Sequence, residues 1–232
     1  MSATILVTGA AGFAGSHLVE SLAGTGRVVA WTHTSPPPEE VAPLAAWQRV
    51  DLLDRAAVCT RINELKPTQV YHCAGSPNVA GSWRDTVTPL STNVLATHVL
   101  LDALRRARSR CRVVITGSAT VYAPSTAPLT EASTIHPANP YAWSKLAQEQ
   151  LGLIAGREDG IEIIVTRSFN HIGPRQSSAF AAPNVARQIA LIEHGALEPA
   201  IRIGNLDTQR DMMDVRDTVR ADAALMEKGT AS

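Results

Sequence analysis

Tyr141 and Lys145 stand four residues apart in Tyr141-Ala142-Trp143-Ser144-Lys145, directly after Pro137-Ala138-Asn139-Pro140. A proline-marked helix start followed by i,i+4 spacing places both side chains on one helical face. A free phenol titrates at about 10. A nearby ammonium favours the phenolate and lowers that value, which suits a proton partner for interconverting a ketone and an alcohol. Upstream, Ser118 in Thr116-Gly117-Ser118-Ala119-Thr120-Val121-Tyr122 follows an apolar strand, at the strand end where α/β sheets hold ligands.

A second constellation opens the chain. The run Thr8-Gly9-Ala10-Ala11-Gly12-Phe13-Ala14-Gly15-Ser16 repeats glycine every third residue between a strand and a helix. Gly9 permits the tight turn, Gly12 lets backbone N–H groups approach a pyrophosphate, and Gly15 lets helix and strand pack closely. The helix N-terminus adds a favourable field for the anion.

The elements that must position these groups are legible as alternation. Thr4–Val7, Arg27–Trp31, Gln48–Asp51, Gln69–Cys73, Arg112–Thr116 and Ile161–Thr166 read as short, almost continuously apolar strands. Helical patterns lie between them: Leu18, Val19 and Leu22 on the first helix, and Val94, Leu95, Val99 and Leu101 on a long helix beginning near Trp83. This predicts an α/β fold, a doubly wound parallel sheet covered on both faces. After Thr166 the alternation gives way to the loop-rich Ser168-Phe169-Asn170-His171-Ile172-Gly173-Pro174, with a further helix near Val185–His194. The expected division is a dinucleotide-binding domain over 1–166 and a substrate-binding region over 167–232.

Composition excludes other classes. Across 232 residues, 21 Lys+Arg balance 21 Asp+Glu, so no basic field recruits nucleic acid or an anionic membrane surface. At 45% hydrophobic residues, disorder is excluded as well. The start, running from Met1 into Ile5 and Val7, reads as strand rather than secretory signal. Cys59, Cys73 and Cys111 are scattered and lack a C-x-x-C pair, which argues against disulfides and zinc and leaves a cytoplasmic protein without metal as the expectation.

The G-x-x-G-x-x-G loop, Tyr141-x-x-x-Lys145 and Ser118 together resemble the extended short-chain dehydrogenase/reductases. The segments Arg167–Gln176, Val185–Ile189, Ile203–Asp207 and Arg210–Asp217 resemble the branch that acts on GDP-sugars, and the likeness runs from Thr4 to Gly229. The resemblance makes Ser118, Tyr141 and Lys145 the catalytic set, with Lys145 also holding the nicotinamide ribose. It implies that Gly9, Gly12, Phe13, Ala14 and Gly15 hold the cofactor. Asp51 and Leu52 match the adenine-binding position, and Cys73, Ala74 and Gly75 the turn beside phosphates and ribose. An NAD-selective site usually has a carboxylate after the second strand. This chain has Trp31-Thr32-His33-Thr34-Ser35 there, and hydroxyls with the His33 imidazole tilt the expectation to NADP over NAD.

On the substrate side the resemblance assigns Asn170 and Asn184 to sugar or diphosphate and Arg187 and Arg210 to the diphosphate, a contact that suits arginine's fork of donors. Thr120 stands where dehydratases of the family carry an acid, so water elimination is disfavoured. What remains is NAD(P)H-dependent reduction of a nucleotide-linked 4-keto-6-deoxyhexose, with a nucleotide-sugar 4-epimerase or a silent dinucleotide-binding module as rivals. The family pairs subunits through the helix near Trp83–Ala107 and the helix carrying Tyr141, so a homodimer is expected. Relatives continue beyond the point corresponding to Ser232, which predicts a partial substrate-binding region.

Overall fold

Val, Ile and Leu fill the strands with little alternation because helices cover both faces of the sheet. The computed structural model describes residues 3–77 and 79–231; Met1 and Ser2 lie outside them. Six strands, β1 (Thr4–Thr8), β2 (Arg27–Thr32), β3 (Ala46–Arg49), β4 (Gln69–His72), β5 (Arg112–Thr116) and β6 (Glu162–Thr166), form one sheet in the order β3-β2-β1-β4-β5-β6. Every pairing is parallel. The order reverses between β1 and β4, and a crevice at their carboxyl ends is where such sheets place ligands.

The pleat sends alternate residues to two cores. Leu6, Val29, Val70, Val113, Ile115 and Ile163 pack with α2 (Arg55–Leu65), α4 (Ala96–Arg106) and α5 (Pro140–Asp159). Ile5, Val7, Val28, Ala30, Tyr71, Val114 and Ile164 pack with α1 (Phe13–Ser21) and α7 (Val215–Lys228). Caps set the helix starts. Asp54 accepts from the Ala57 N–H at 3.0 Å, and Asn139 from the Ala142 N–H at 2.9 Å with Pro140 in the first turn. Gly160, at φ 66°, ends α5 in the left-handed conformation that glycine adopts without strain.

Two expectations shift. The third strand lies at Ala46–Arg49, two residues earlier than Gln48–Asp51, because Asp51 turns the chain by accepting from the Leu53 N–H at 2.9 Å. The long helix does not run unbroken from Trp83. A 3-10 turn at Ala80–Trp83 ends there, and the Asp85 carboxylate accepts from the N–H groups of Val87 and Thr88, starting α3 (Val87–Pro89) afresh. A π-helical turn over Leu90–Leu95 then leads into α4. Beyond Thr166 the chain leaves the six-stranded sheet. It forms a small parallel pair, β7 (Asn170–Ile172) with β8 (Met212–Asp214), and α6 (Ala181–Glu193) with no buried residue. It then returns through α7, whose Val215, Val219 and Met226 are buried in the core shared with α1. No helix among the described residues is long and apolar enough to cross a membrane.

Candidate active site

At the carboxyl end of β1 the chain turns through Gly9 at φ 64°, and a Cβ there would lie 2.6 Å from the backbone N and Cα of Ala74. Only glycine fits both the conformation and the approach. A Cβ on Gly15 would collide with the Gly9 carbonyl oxygen, so helix and loop touch backbone to backbone. No side chain caps α1 at Gly12, which leaves the first-turn N–H groups without intrahelical partners. This cradle fits the pyrophosphate of a dinucleotide. Gly15→Ala is expected to cost about 1–3 kcal/mol by overpacking and to weaken NADPH binding about tenfold, equivalent to about 1.4 kcal/mol. Calorimetric titration beside a thermal melt checks both.

Around this cradle the structure gathers most of the expected cofactor residues. Cys73 and Ala74 face Gly9 across the β1/β4 crevice, with the Cys73 N–H donating to the Thr8 carbonyl at 3.2 Å. His33 Nε2 lies 3.6 Å from Asp51 Oδ2, both exposed at the ends of β2 and β3. Leu52 packs on the core beneath them. The Phe13 ring stacks on His171 at 5.6 Å and meets His17 edge-on, so Phe13 offers a ligand its backbone rather than its ring.

Ser118, Tyr141 and Lys145 are brought together at the ends of β5 and α5, each less than a tenth exposed. The Ser118 hydroxyl lies 2.9 Å from Thr120 Oγ1 and acts on the Tyr141 phenol in favour of its ionised form. Lys145 Nζ donates to the Thr116 carbonyl at 2.7 Å and to Gln148 Oε1 at 2.8 Å. Burial lowers the ammonium to about 8. The i,i+4 spacing predicts that Lys145 lowers Tyr141, but burial raises the phenol and Ser118 only partly opposes it.

Several site residues carried no sequence signal of their own. Asn93, in the π-helical turn, accepts from the Ser76 N–H at 2.8 Å and donates to Ser144 Oγ at 2.8 Å, fastening the Gly75 turn to α5. Glu149 takes two hydrogen bonds from Arg167, which also donates to the Tyr122 hydroxyl at 2.8 Å, tying α5 to the end of β6. Gln148 and Glu149 follow Lys145 by three and four positions, and two polar residues on a buried stripe were the available clue.

The substrate-side residues stand apart from this cluster. Asn170 donates to the Asp211 carbonyl at 3.4 Å across β7 and β8. Asn184 accepts from Gln188 at 2.6 Å and lines a shallow depression of about 260 Å³ with Phe180, Arg202 and Ile203. Arg187 and Arg210 are exposed, and the latter donates to the neighbouring Gln209 carbonyl. Among the described residues no group of three or more His, Cys, Asp or Glu could hold a metal, and the three cysteines are free.

Known proteins share this arrangement. The profile of the NAD dependent epimerase/dehydratase family matches residues 5–232. The chain is 36% identical over 234 residues to GDP-6-deoxy-D-mannose reductase from Pseudomonas aeruginosa, spanning 100% of this chain and 73% of that protein. The solved structure of RMD from Pseudomonas aeruginosa complexed with NADPH superposes with a TM-score of 0.84 at 34% identity, over 99% of this chain and 74% of that one. The UDP-glucose 4-epimerase of Thermus thermophilus, solved in complex with NAD, gives 0.84 at 30% identity, over 97% and 74%. The glycine cradle, the Ser118–Tyr141–Lys145 cluster and these matches agree: the chain belongs to the NAD dependent epimerase/dehydratase family, as an NAD(P)-dependent oxidoreductase of the extended short-chain dehydrogenase/reductase type.

Proposed function

We propose that this chain reduces the 4-keto group of a nucleotide-linked 4-keto-6-deoxyhexose, with a GDP-sugar as the favoured substrate and NADPH favoured over NADH. The observation that carries this reading is the Ser118 hydroxyl at the end of β5 with the Thr120 hydroxyl beside it. The group 2.9 Å from Ser118 Oγ is a hydroxyl, which cannot remove a carbon-bound proton as a carboxylate would. The similarity to GDP-6-deoxy-D-mannose reductase supports the same reading.

When bound, the nicotinamide supplies the hydride. The chain's own residues handle the oxygen and the proton. Tyr141 O–H delivers its proton to the ketone oxygen, and Ser118 hydrogen-bonds that oxygen. Burial keeps the phenol protonated through neutral pH, the state that reduction requires. Lys145 has two of its three donors engaged, and the third serves the ribose and the charge on Tyr141. Gly9, Gly12, Phe13, Ala14 and Gly15 hold the pyrophosphate, Cys73, Ala74 and Gly75 line the far wall, and His33 with Asp51 and Leu52 meets the adenosine. Asn170, Asn184, Arg187 and Arg210 form the sugar-nucleotide side.

Stoichiometric NADPH oxidation with GDP-4-keto-6-deoxymannose is the expected result. Interconversion of C4 epimers with no net oxidation assigns an epimerase instead. Cofactor binding without turnover of any nucleotide sugar assigns a silent module.

We also infer a homodimer. Trp83, Val87, Leu90 and Leu95 are 50% to 71% exposed along the α3 side, and Trp143 is 60% exposed on the adjoining α5. An apolar patch shared by two packed elements is an interaction surface. Light scattering is expected to give twice the 24.7 kDa chain mass.

A further inference from the structure

Lys145 is the one buried lysine of three, with Lys66 and Lys228 exposed. Its ammonium sits beside the Gly75 turn, 4.0 Å from where a Cβ on that glycine would lie. Among the described residues it forms no ion pair. The titratable groups around it are Cys73 and His72 at the end of β4 and Tyr141 on its own helix. Its protein partners are therefore a backbone carbonyl and one side chain, the Gln148 amide.

Gln148 is fully buried and its other end is also engaged. Nε2 donates to Thr97 Oγ1 at 2.8 Å. The Thr97 hydroxyl donates to the Asn93 carbonyl at 2.6 Å, so His72 Nε2, 2.7 Å from the same oxygen, carries the proton on that side. His72 Nδ1 then accepts from Thr8 Oγ1 at 2.7 Å. Burial keeps His72 neutral, lowered to about 3, in agreement with this assignment. Two arms of hydrogen bonds therefore converge on Thr97 Oγ1, one from Thr8 of the glycine loop through His72 and one from Lys145 Nζ through Gln148, and together they link β1, β4, α4 and α5. Turning the Gln148 amide over would set its NH₂ against the ammonium and remove the donor to Thr97, so the amide admits one orientation.

We propose that Gln148 is a positioning residue for Lys145, holding the ammonium on the cofactor side of α5 and tying its placement through Thr97 and His72 to Thr8 of the cofactor loop. The inference rests on reading Lys145 as the partner of Tyr141. Loss of the acceptor disfavours the charged amine, and its exchange for a carboxylate favours it.

The test uses protein carrying ¹³Cε-lysine without cofactor, so that it does not depend on turnover. In the parent, the buried lysine titrates near 8, apart from the two exposed lysines. Gln148→Leu is expected to lower that midpoint by about one unit, and Gln148→Glu to raise it above the parent. In keto-sugar reduction Gln148→Leu lowers kcat at least tenfold, with the sugar-nucleotide KM within twofold, and moves the lysine limb of the pH profile with the midpoint. Gln148→Glu recovers part of that kcat. Should Gln148→Leu not fold, Gln148→Met supplies the same readout with an unbranched chain. A midpoint unchanged in the folded variant overturns the proposal, whatever the enzyme turns over. A shifted midpoint in a protein that reduces no keto-sugar upholds the lysine's anchoring and overturns the proposed reaction.

Discussion

Tyr141→Phe is expected to lower keto-sugar reduction about a thousandfold, in the middle of the range for loss of a positioned proton donor. NADPH affinity should stay within twofold. The variant keeps the buried ring and removes only the hydroxyl, and Ser118 retains Thr120 as a partner 2.9 Å away. Single-turnover absorbance of NADPH, set beside a binding titration, separates chemistry from binding. A loss smaller than about fivefold would show that another group supplies the proton. The direction of the phenol's shift adds a second readout. Because burial raises Tyr141, reduction by the parent should not fall through loss of the phenol proton at neutral pH. The reverse oxidation needs the phenolate, so its rate should climb as pH rises.

The glycine loop and the Tyr141–Lys145 spacing were legible because their geometry is local. A turn, a helix start and an i,i+4 face follow from neighbouring residues. Asn93 was not legible, since its contacts depend on a π-helical turn that no apolar period marks and on Ser76 and Ser144 from two other elements. The chain through Thr8, His72, Thr97 and Gln148 draws one residue from each of four elements, and each alone reads as an ordinary polar residue. The sign of the Tyr141 shift also lay outside local pattern. Spacing predicts an ammonium near the phenol, but the depth of burial that outweighs it depends on how β5, α5 and the Asn93 turn close together.

The same limit applies to the return of the chain to the sheet. A loop-rich stretch after Thr166 suggests a separate region, and the apolar positions Val215, Val219 and Met226 are spaced for a helix without naming its partner. The partner is α1, the helix whose N-terminus forms the cofactor cradle. Residues late in the chain thus brace the loop that opens it, which makes the charge state of α7 relevant to the site.

Asp222 of α7 is 4% exposed and faces the core near Tyr71 and Cys73 of the β4 end. Burial raises its carboxyl from an ordinary 3.8 to about 7. The native state therefore holds this proton more tightly than the unfolded chain. Below about pH 4 both states are protonated and the burial costs nothing by linkage. As pH rises from about 4 to about 7 the unfolded chain ionises first, and stability is lost until the native carboxyl ionises too. The full loss is about 4 kcal/mol. Tyr71 and Cys73 add no charge in this window, since burial raises both. His72 stays neutral, and Glu227, the other carboxylate acting on Tyr71, is exposed on the same helix. Asp222→Asn removes the titration while keeping the shape. Its unfolding free energy, from urea curves at pH 5, 6, 7 and 8, should lack this part of the parent's decline. At pH 8 the variant should exceed the parent by about 4 kcal/mol, less about 1–3 kcal/mol for any amide group left unpaired. Parent and variant curves that run parallel from pH 5 to 8 would show that this carboxylate meets water in the native protein, and α7 would then have to sit farther from β4 than it does here.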